Sequence, residues 1–346
     1  MTKKIEVNAG KPYSVKIGGS LLDKTGEEAK ALGLDGKALI ISDNNVAALY
    51  IERVSSSLKQ AGFEVLSFVI PHGEASKSAE NLIAILEFAA ENALSRTDTF
   101  FALGGGVVGD LTGFVAASFL RGTAFVQIPT TLLSAVDSSV GGKTAINLRA
   151  GKNLAGAFYQ PCLCLCDTDI IKSLPDTIFA DGMAEVIKYG MINLPDFLTA
   201  LENAIDICDV IETCVKDKRD IVNLDEKDTG LRQLLNFGHT PAHGIELLSE
   251  FSVSHGSAVA IGMMIITRAA VKIGFCEEQA LIKLEGLLKK YSLPVSTSFS
   301  PEEIANVALN DKKRTGSTIT LVIPEKCGSC VLKKVPVDSI ISFFSE

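Results

Sequence analysis

The sequence lacks the features that would place it at once among membrane or secreted proteins. Its 346 residues contain no uninterrupted apolar run of membrane-spanning length, although 47% of them are hydrophobic. The first residues, MTKKIEVNAGKPYSV, contain no apolar core of a signal peptide. These absences argue against a membrane or secreted protein and predict a soluble, cytoplasmic one.

Positive charge is also scarce. The chain has 33 Lys and Arg against 41 Asp and Glu, which gives a net charge of -8. Such a balance argues against nucleic acid and anionic membranes as partners. The cations that do occur within motifs are therefore expected to bind a small anionic substrate.

The eight cysteines do not follow the pattern of a disulfide framework. Cys162, Cys164 and Cys166 alternate along one predicted strand, and Cys327 and Cys330 form a single C-x-x-C without a second pair. One such pair is a weak zinc or redox signal. We interpret the cysteines as small apolar residues in a reducing compartment.

Neither an internal repeat nor a low-complexity linker is evident, so the domains are predicted from secondary-structure patterns. Up to about residue 174 predicted strands alternate with helices, which is typical of an α/β, Rossmann-like, doubly wound parallel sheet. From 175 onward helical periodicities dominate, and only 317–324 is predicted to be extended. We therefore predict an α/β domain, 1–174, and a mainly α-helical domain, 175–346.

The densest set of phosphate-binding features lies between residues 99 and 161. A predicted strand, 99–103, leads into Gly104, Gly106 and Gly109, which have G-x-G-x-x-G spacing before a predicted helix. Such a turn places backbone N–H groups where a pyrophosphate can bind. Many α/β proteins contain the turn without a nucleotide, and no Asp or Glu ends the next predicted strand. Asp43, after an earlier strand, is therefore the candidate for binding ribose hydroxyls.

The second half of this block alternates hydroxyls, glycines and cations. Glu74 and Lys77, at the end of another predicted strand, are also placed to reach a cofactor. Cations embedded among small residues favour a phosphate or carboxylate pocket over a solvated basic loop. The residues concerned are Arg121, Thr130, Thr131, Asp137, Gly141, Gly142, Lys143, Lys152 and Asn153.

Three of the four histidines lie close together in the helical part. His239 and His243 are four residues apart and share one face if the segment is helical, and His255 follows. With Glu185 they form a candidate catalytic zinc site, in which two imidazoles and one carboxylate leave a position open. Thr240 follows His239, so the pattern is not H-E-x-x-H. Buried, hydrogen-bonded histidines remain the alternative. Further anion-binding groups near this site in sequence are Lys188, Lys218, Arg232 and Asn236.

A nucleotide-binding turn, a metal site and many cations together predict hydride transfer at an alcohol held by a metal, on a substrate with phosphate and carboxylate groups.

Several motifs in consistent order from about residue 40 to 315 resemble the 3-dehydroquinate synthase family. They read GGGVVGD, FVQIPTTLLSAVDSSVGGKTAIN, GKNLAGAFYQP, MAEVIKYG, GLRQLLNFGHT and DKK. The resemblance implies a two-domain homodimer with NAD in its cleft and a divalent metal, zinc or alternatively cobalt. It also implies conversion of 3-deoxy-D-arabino-heptulosonate 7-phosphate to 3-dehydroquinate and phosphate by transient oxidation, β-elimination, reduction and intramolecular aldol closure.

The resemblance also implies roles for individual residues. The metal ligands would be Glu185, His239 and His255, whereas His243 would contact phosphate or relay a proton, and Arg121 would reach the partner's site. The substrate would be surrounded by Asp137, Lys143, Lys152, Asn153, Lys188, Lys218, Arg232, Asn236 and Lys312. NAD would contact Asp43, Glu74, Lys77, Gly105, Gly106, Val107, Asp110, Thr130, Thr131, Asp137, Lys143 and Lys152.

Three departures from the family pattern lie close to the implied metal ligands. The chain has HTPAHGIE where the family has a pattern close to HTxGHAxE, Ser257 where a carboxylate is usual, and Asp228 in place of Glu. Such changes can alter the support of a metal ligand or the choice of substrate.

Three alternative functions remain open: another sugar phosphate cyclase, a metal-dependent polyol dehydrogenase and a non-catalytic nucleotide-binding module.

Overall fold

The computed structural model describes residues 2–203, 205–310 and 317–345. Contacts divide the chain into two compact units. Unit 1 consists of Met1–Leu174 and Ile207–Lys227, and unit 2 consists of Pro175–Asp206 and Asp228–Glu346.

The strands and helices follow one another along the chain with short connections. The strands are β1 Lys3–Val7, β2 Tyr13–Gly18, β3 Lys37–Asp43, β4 Glu64–Ile70, β5 Thr99–Gly104, β6 Ala124–Pro129, β7 Lys143–Leu148, β8 Gly151–Phe158, β9 Leu163–Asp167, β10 Thr318–Lys326 and β11 Ser329–Pro336. The helices are α1 Thr25–Lys30, α2 Asn44–Gln60, α3 Ala79–Glu91, α4 Gly106–Ser118, α5 Thr168–Lys172, α6 Asp176–Ile192, α7 Pro195–Glu202, α8 Ile207–Leu224, α9 His239–Leu248, α10 His255–Lys272, α11 Glu278–Lys290, α12 Pro301–Asn310 and α13 Ile340–Ser345.

Unit 1 is organised around a seven-stranded sheet of order β1-β2-β9-β6-β5-β3-β4. Every pairing is parallel except that of β1 with β2. All six residues of β5 are buried, as expected for a central parallel strand covered on both faces. The parallel strands β3, β5 and β6 have their carboxyl ends at the same edge of the sheet. This is the edge at which α/β folds bind ligands.

Helices cover both faces of this sheet. On one face, Ile85 of α3 and Leu111 of α4 belong to an apolar core with Phe100 of β5. On the other face, Val54 of α2 packs in a second core that includes Phe101 of β5. Neighbouring residues of β5 thus serve opposite cores, because strand side chains alternate in direction. This architecture, a doubly wound parallel sheet followed by mainly helical chain, confirms the predicted fold class.

Two parts of unit 1 differ from the sequence prediction. The strands β7 and β8 form an antiparallel hairpin, whereas we predicted a phosphate or carboxylate pocket there and no strand. The helix α8 clusters with unit 1, packing against β1 and the π-helical turn Ser134–Ser138, although the predicted second domain ran from 175 to 346 without interruption. An amphipathic helix specifies which of its faces is buried but not which part of the chain covers that face.

Unit 2 is mainly helical, with the antiparallel hairpin β10–β11 at its end. The prediction of a single extended segment there missed β11. Most residues of α10 are buried, and this helix packs against α9, α6 and α11. Across 2–203, 205–310 and 317–345, no helix combines the length and the apolar character needed to span a membrane.

Candidate functional site

The glycine turn of unit 1 joins the end of β5 to the start of α4. Gly105 is the N-cap of α4 and has no side chain to bond the first N–H groups of the helix. A Cβ on Gly105 would lie 3.3 Å from Cγ2 of Thr131, and one on Gly106 would lie 3.1 Å from Oγ of Ser138. The glycines therefore allow a close approach of backbone and neighbouring loop. Exposed N–H groups at a helix N-terminus form a site suited to phosphate.

Asp43 lies at the end of β3 and is the N-cap of α2. Its Oδ1 accepts hydrogen bonds from the N–H groups of Asn45 and Val46, both at 3.0 Å. Just after β6, the N–H of Thr130 donates to the carbonyl of Gly104 at the end of β5, at 3.0 Å. These residues and the glycine turn lie at the same edge of the sheet, because β3, β5 and β6 are parallel.

A cluster of alternating charges and amides lies beside the glycine turn. We call Glu74, Lys77, Asp110, Asn147 and Asn153 the lysine cluster. The Nζ of Lys77, which is 4% exposed, donates to Oδ2 of Asp110 and to Oδ1 of Asn153. Asn147 donates to Oε1 of Glu74 at 2.7 Å and accepts from the N–H of Asn153 at 3.0 Å. Asn147 was not among the predicted site residues.

Burial affects one of the two carboxyl groups of this cluster, that of Asp110. It raises the pKa of Asp110 above its ordinary value, although the nearby charge of Lys77 acts in the opposite direction. Lys152 lies at the edge of the cluster, with its Nζ 4.0 Å from Oε1 of Glu74.

A second buried ion pair involves α8. The Nζ of Lys218, a residue that is 5% exposed, donates to the carbonyl and the carboxylate of Asp137 in the π-helical turn. Two other predicted cations are exposed: Lys143 begins β7, and Arg121 precedes Gly122. Arg121 has a positive φ of 67°.

The helices of unit 2 bring Glu185, His239 and His255 together, and we call these residues the metal-ligand triad. Glu185 lies on α6, and the two histidines begin α9 and α10. Oε1 of Glu185 is 3.6 Å from Nε2 of His239 and 3.4 Å from Nε2 of His255. One ligand atom from each residue lies within 4.8 Å of the others, and among the described residues this is the one such group of three.

Acceptors behind the two imidazoles fix their orientation. Nδ1 of His239 is 3.2 Å from the carbonyl of Phe237, and Nδ1 of His255 is 3.2 Å from Oε1 of Glu246. These contacts at Nδ1 turn the Nε2 of each imidazole toward Glu185, the orientation that metal-binding histidines require. Glu246 is 3% exposed and was missed by the sequence prediction. Its position seven residues after His239 on α9, and thus on the same helical face, was the available signal.

The pKa values of the two imidazoles are shifted in opposite directions. Burial lowers the pKa of His239 to about 3, against the attraction of Glu185. Burial also opposes the charged form of His255, but its hydrogen bonds with Glu185 and Glu246 outweigh this and raise its pKa to about 10. The site thus attracts positive charge at the Nε2 of His255.

The remaining predicted residues of unit 2 are placed differently. Lys188, 1% exposed, forms an ion pair with Glu185 one turn along α6. His243 is exposed, and its ring centroid is 5.8 Å from that of His239. Arg232 is 2% exposed in the 3-10 helix Leu231–Asn236, whereas Asn236 is exposed. Lys312 lies outside the described residues.

Comparison with known proteins gives consistent matches over the whole chain. The family models 3-dehydroquinate synthase N-terminal and C-terminal match residues 67–181 and 182–314. A 3-dehydroquinate synthase of Desulforamulus reducens is 40% identical, over 99% of this chain and 99% of the relative. One from Streptococcus suis is 41% identical, over 96% of each.

Solved structures with a similar fold include two cyclases. A 2-deoxy-scyllo-inosose synthase complexed with carbaglucose-6-phosphate, NAD+ and Co2+ has a TM-score of 0.88 at 23% identity, over 99% of each chain. A 2-epi-5-epi-valiolone synthase from Streptomyces hygroscopicus with NAD+ and Zn2+ bound has a TM-score of 0.88 at 24% identity, over 99% of this chain and 98% of that chain. A glycerol dehydrogenase from Schizosaccharomyces pombe is less similar, with a TM-score of 0.63 over 95% of this chain and 86% of that chain.

Proposed function

Because the chain belongs to the 3-dehydroquinate synthase family, we propose that it converts 3-deoxy-D-arabino-heptulosonate 7-phosphate to 3-dehydroquinate and inorganic phosphate. The observation that carries the proposal is the metal-ligand triad, with its two oriented imidazoles and one buried carboxylate. The reaction belongs to the phosphate-eliminating carbon–oxygen lyases.

We propose that the triad holds a divalent metal, zinc or alternatively cobalt. Two imidazole nitrogens and a carboxylate oxygen are a donor set that zinc prefers in catalytic sites. The Nε2 atoms of His239 and His255 both lie near the same oxygen of Glu185, which fits a shared cation. A bound divalent metal supplies Lewis acidity, which polarises a substrate hydroxyl.

We propose that unit 1 binds NAD at the glycine turn. The N-terminus of α4, which has no side-chain cap, suits the pyrophosphate, and a side chain at Gly105 or Gly106 would press on Thr131 or Ser138. Asp43 uses Oδ1 to cap α2, so a ribose hydroxyl would bond Oδ2. NAD supplies a reversible hydride acceptor, so nothing is oxidised overall. The other proposed NAD contacts are Glu74, Lys77, Val107, Asp110, Thr130, Thr131, Asp137, Lys143 and Lys152.

The buried cations of the chain bind and orient the anionic groups of the substrate. Lys218 is fixed by Asp137, and Lys188 is fixed by Glu185, so each charge is held in place before the substrate arrives. Arg232 offers a planar donor suited to phosphate or carboxylate. We assign the departing phosphate the removal of the neighbouring carbon-bound proton. The other proposed substrate contacts are Lys143, Lys152, Asn153, Asn236, His243 and Lys312.

We also propose that the protein forms a homodimer, in which Arg121 reaches the site of the partner protomer. The cytoplasm is the proposed compartment.

The test is to measure phosphate release and 3-dehydroquinate formation from 3-deoxy-D-arabino-heptulosonate 7-phosphate with catalytic amounts of NAD and added zinc. We expect equal amounts of both products and no net NADH. Zinc-loaded, folded protein that releases no phosphate would contradict the proposed substrate. The same assay with glucose 6-phosphate would then identify another sugar phosphate cyclase, and steady NADH formation from glycerol would identify a polyol dehydrogenase.

A further inference from the structure

The helix α10, whose first residue is the triad member His255, lacks a cap from its own N-cap residue. Ser254 occupies the N-cap position, yet its side chain makes no capping bond to the helix backbone. Its hydroxyl donates instead to the hydroxyl of Ser257 at 2.8 Å. An N-cap serine usually accepts a bond from the second or third helical N–H, so that function must be supplied from elsewhere.

A carboxylate on another helix supplies it. Oδ1 of Asp181, on α6, accepts a hydrogen bond from the N–H of Ser257 at 3.1 Å. The two helices approach closely there, since a Cβ on Gly256 would lie 2.0 Å from the carbonyl oxygen of Asp181 and 2.7 Å from its Oδ1. Asp181 thus serves as the cap of α10, and its negative charge is favourable at a helix N-terminus.

The same face of α6 contacts His255 directly. Glu185 follows Asp181 by four residues, one helical turn, and its Oε1 is 3.4 Å from Nε2 of His255. The helix α6 therefore holds both the backbone that carries the imidazole and the carboxylate that the imidazole faces.

The local sequence explains why an outside cap is needed. A capping box has Ser at the N-cap and Glu or Gln at the third helical position. Here the segment from Ser254 to Ser257 reads SHGS, and the hydroxyl of Ser254 bonds that of Ser257, so neither bond of the box forms within the helix. Asp181, 76 positions away, accepts the N–H of Ser257, which is the bond that an N-cap serine accepts in the box.

We propose that Asp181 is a positioning residue for the metal site: it caps α10 and thereby fixes His255 in the orientation that binds the metal. This inference rests on the metal binding proposed above. It concerns affinity for the metal, which can be measured without substrate.

The experiment compares zinc affinities, by competition with a chromophoric chelator, in the full-length protein. Outer partners of metal ligands typically contribute 10- to 100-fold in affinity, and we expect Asp181→Ala to lose roughly 10-fold. Asp181→Asn should stay within about threefold of wild type, because an amide oxygen also accepts the N–H bond. Asp176→Ala is the matched control, since Asp176 is an exposed carboxylate at the start of the same helix.

A rescue variant separates capping from charge and from general destabilisation. Adding Ser257→Glu to Asp181→Ala creates the capping box within α10 and should restore most of the zinc affinity. Amide hydrogen exchange, followed by mass spectrometry, should be faster around Ser257 in Asp181→Ala than in the wild type or the double variant. Solvent can reach this backbone, because Asp181, Ser254 and Ser257 line a cavity of about 700 Å³.

The outcomes distinguish the two proposals. Wild-type zinc affinity in Asp181→Ala overturns the positioning role and leaves the proposed reaction untouched. If Asp181→Ala does not fold, an Asp181→Ala/Ser257→Glu protein that folds but binds zinc no better than an unrelated protein overturns it as well. Wild-type protein that binds no zinc overturns both, whereas normal zinc binding without phosphate release contradicts only the proposed reaction.

Discussion

The lysine cluster of unit 1 and the metal-ligand triad of unit 2 arrange buried polar groups in opposite ways. In the lysine cluster, cation, carboxylate and amides alternate, so that Lys77 lies between Asp110 and Asn153. In the triad, three ligand atoms lie within 4.8 Å of one another, and acceptors stand behind both imidazoles. The first arrangement pairs its buried cation with a carboxylate of the same cluster. The second directs lone pairs at one point, which suits a cation from outside.

The strongest test of this contrast is removal of one triad histidine. His239→Ala should abolish tight zinc binding and lower the rate of phosphate release by roughly 1,000-fold, because a Lewis-acid metal contributes several kcal/mol and each 1.36 kcal/mol is tenfold in rate. Zinc titration and a phosphate assay measure the two effects. His243→Ala is the matched control for zinc binding, since His243 is exposed outside the triad. If His239→Ala and His243→Ala bind zinc with equal affinity, the triad does not hold the metal.

Breaking the lysine cluster should affect folding more than metal binding. Lys77→Met leaves the carboxylate of Asp110 without its cation, and breaking a buried pair in this way costs about 3 kcal/mol of unfolding free energy. Urea denaturation measures the loss. The double variant with Asp110→Asn should recover much of it, and Lys3→Met, which removes a more exposed ion pair, should cost under about 1 kcal/mol. A Lys77→Met protein as stable as wild type would show that the cluster is not a folding element.

The pH dependence of that variant follows from the raised pKa of Asp110. An acid whose pKa is higher in the folded state favours folding when protonated, and this contribution is lost as the pH rises through that pKa. Removing Lys77 removes an opposing influence, so the pKa should rise further. The stability deficit of Lys77→Met should therefore be smaller at pH 5 than at pH 8. A deficit that grows on acidification would contradict the assignment.

The smallest expected effect concerns Asp43, which combines two roles. Asp43→Ala should cost about 1 kcal/mol of stability, because it removes the N-cap of α2. Asp43→Asn keeps a capping oxygen and should cost only a few tenths, about 0.3 kcal/mol. Both should weaken NAD binding, measured by isothermal titration calorimetry. If only the alanine variant binds NAD less well, Asp43 acts through the cap rather than through a ribose contact.

Much of the fold was predictable, because the spacing of apolar residues along the sequence indicates which side chains are buried. The apolar strands around Phe101 and Val126 and the glycine turn after them indicated a parallel sheet with its ligand edge. The strand β8 was missed, since its glycines and Lys152 also fit a phosphate or carboxylate pocket. Lys333 and Lys334 interrupt the apolar alternation of β11, which hid that strand.

The parts of the site that escaped prediction depend on contacts between distant residues. Asn147 bonds Glu74 across 73 positions, and Asp181 bonds Ser257 across 76. No local sequence pattern predicts these two contacts, because Asn, Glu, Asp and Ser are all common residue types in loops and on helix surfaces. By contrast, His239 and His255 were identifiable, since histidine is rare in this chain and three of its four copies lie close together.

The placement of α8 in unit 1 has a consequence for synthesis of the protein. Since α8 follows 175–206, which belong to unit 2, the ribosome must complete that stretch before the last helix of unit 1 emerges. Until then the face of β1 that α8 covers is open, and Asp137 has not yet met Lys218. Domains that fold in order of synthesis become complete as their own segments appear. Here the first unit to begin folding must wait for part of the second, and a fragment ending at Leu174 would lack its closing helix.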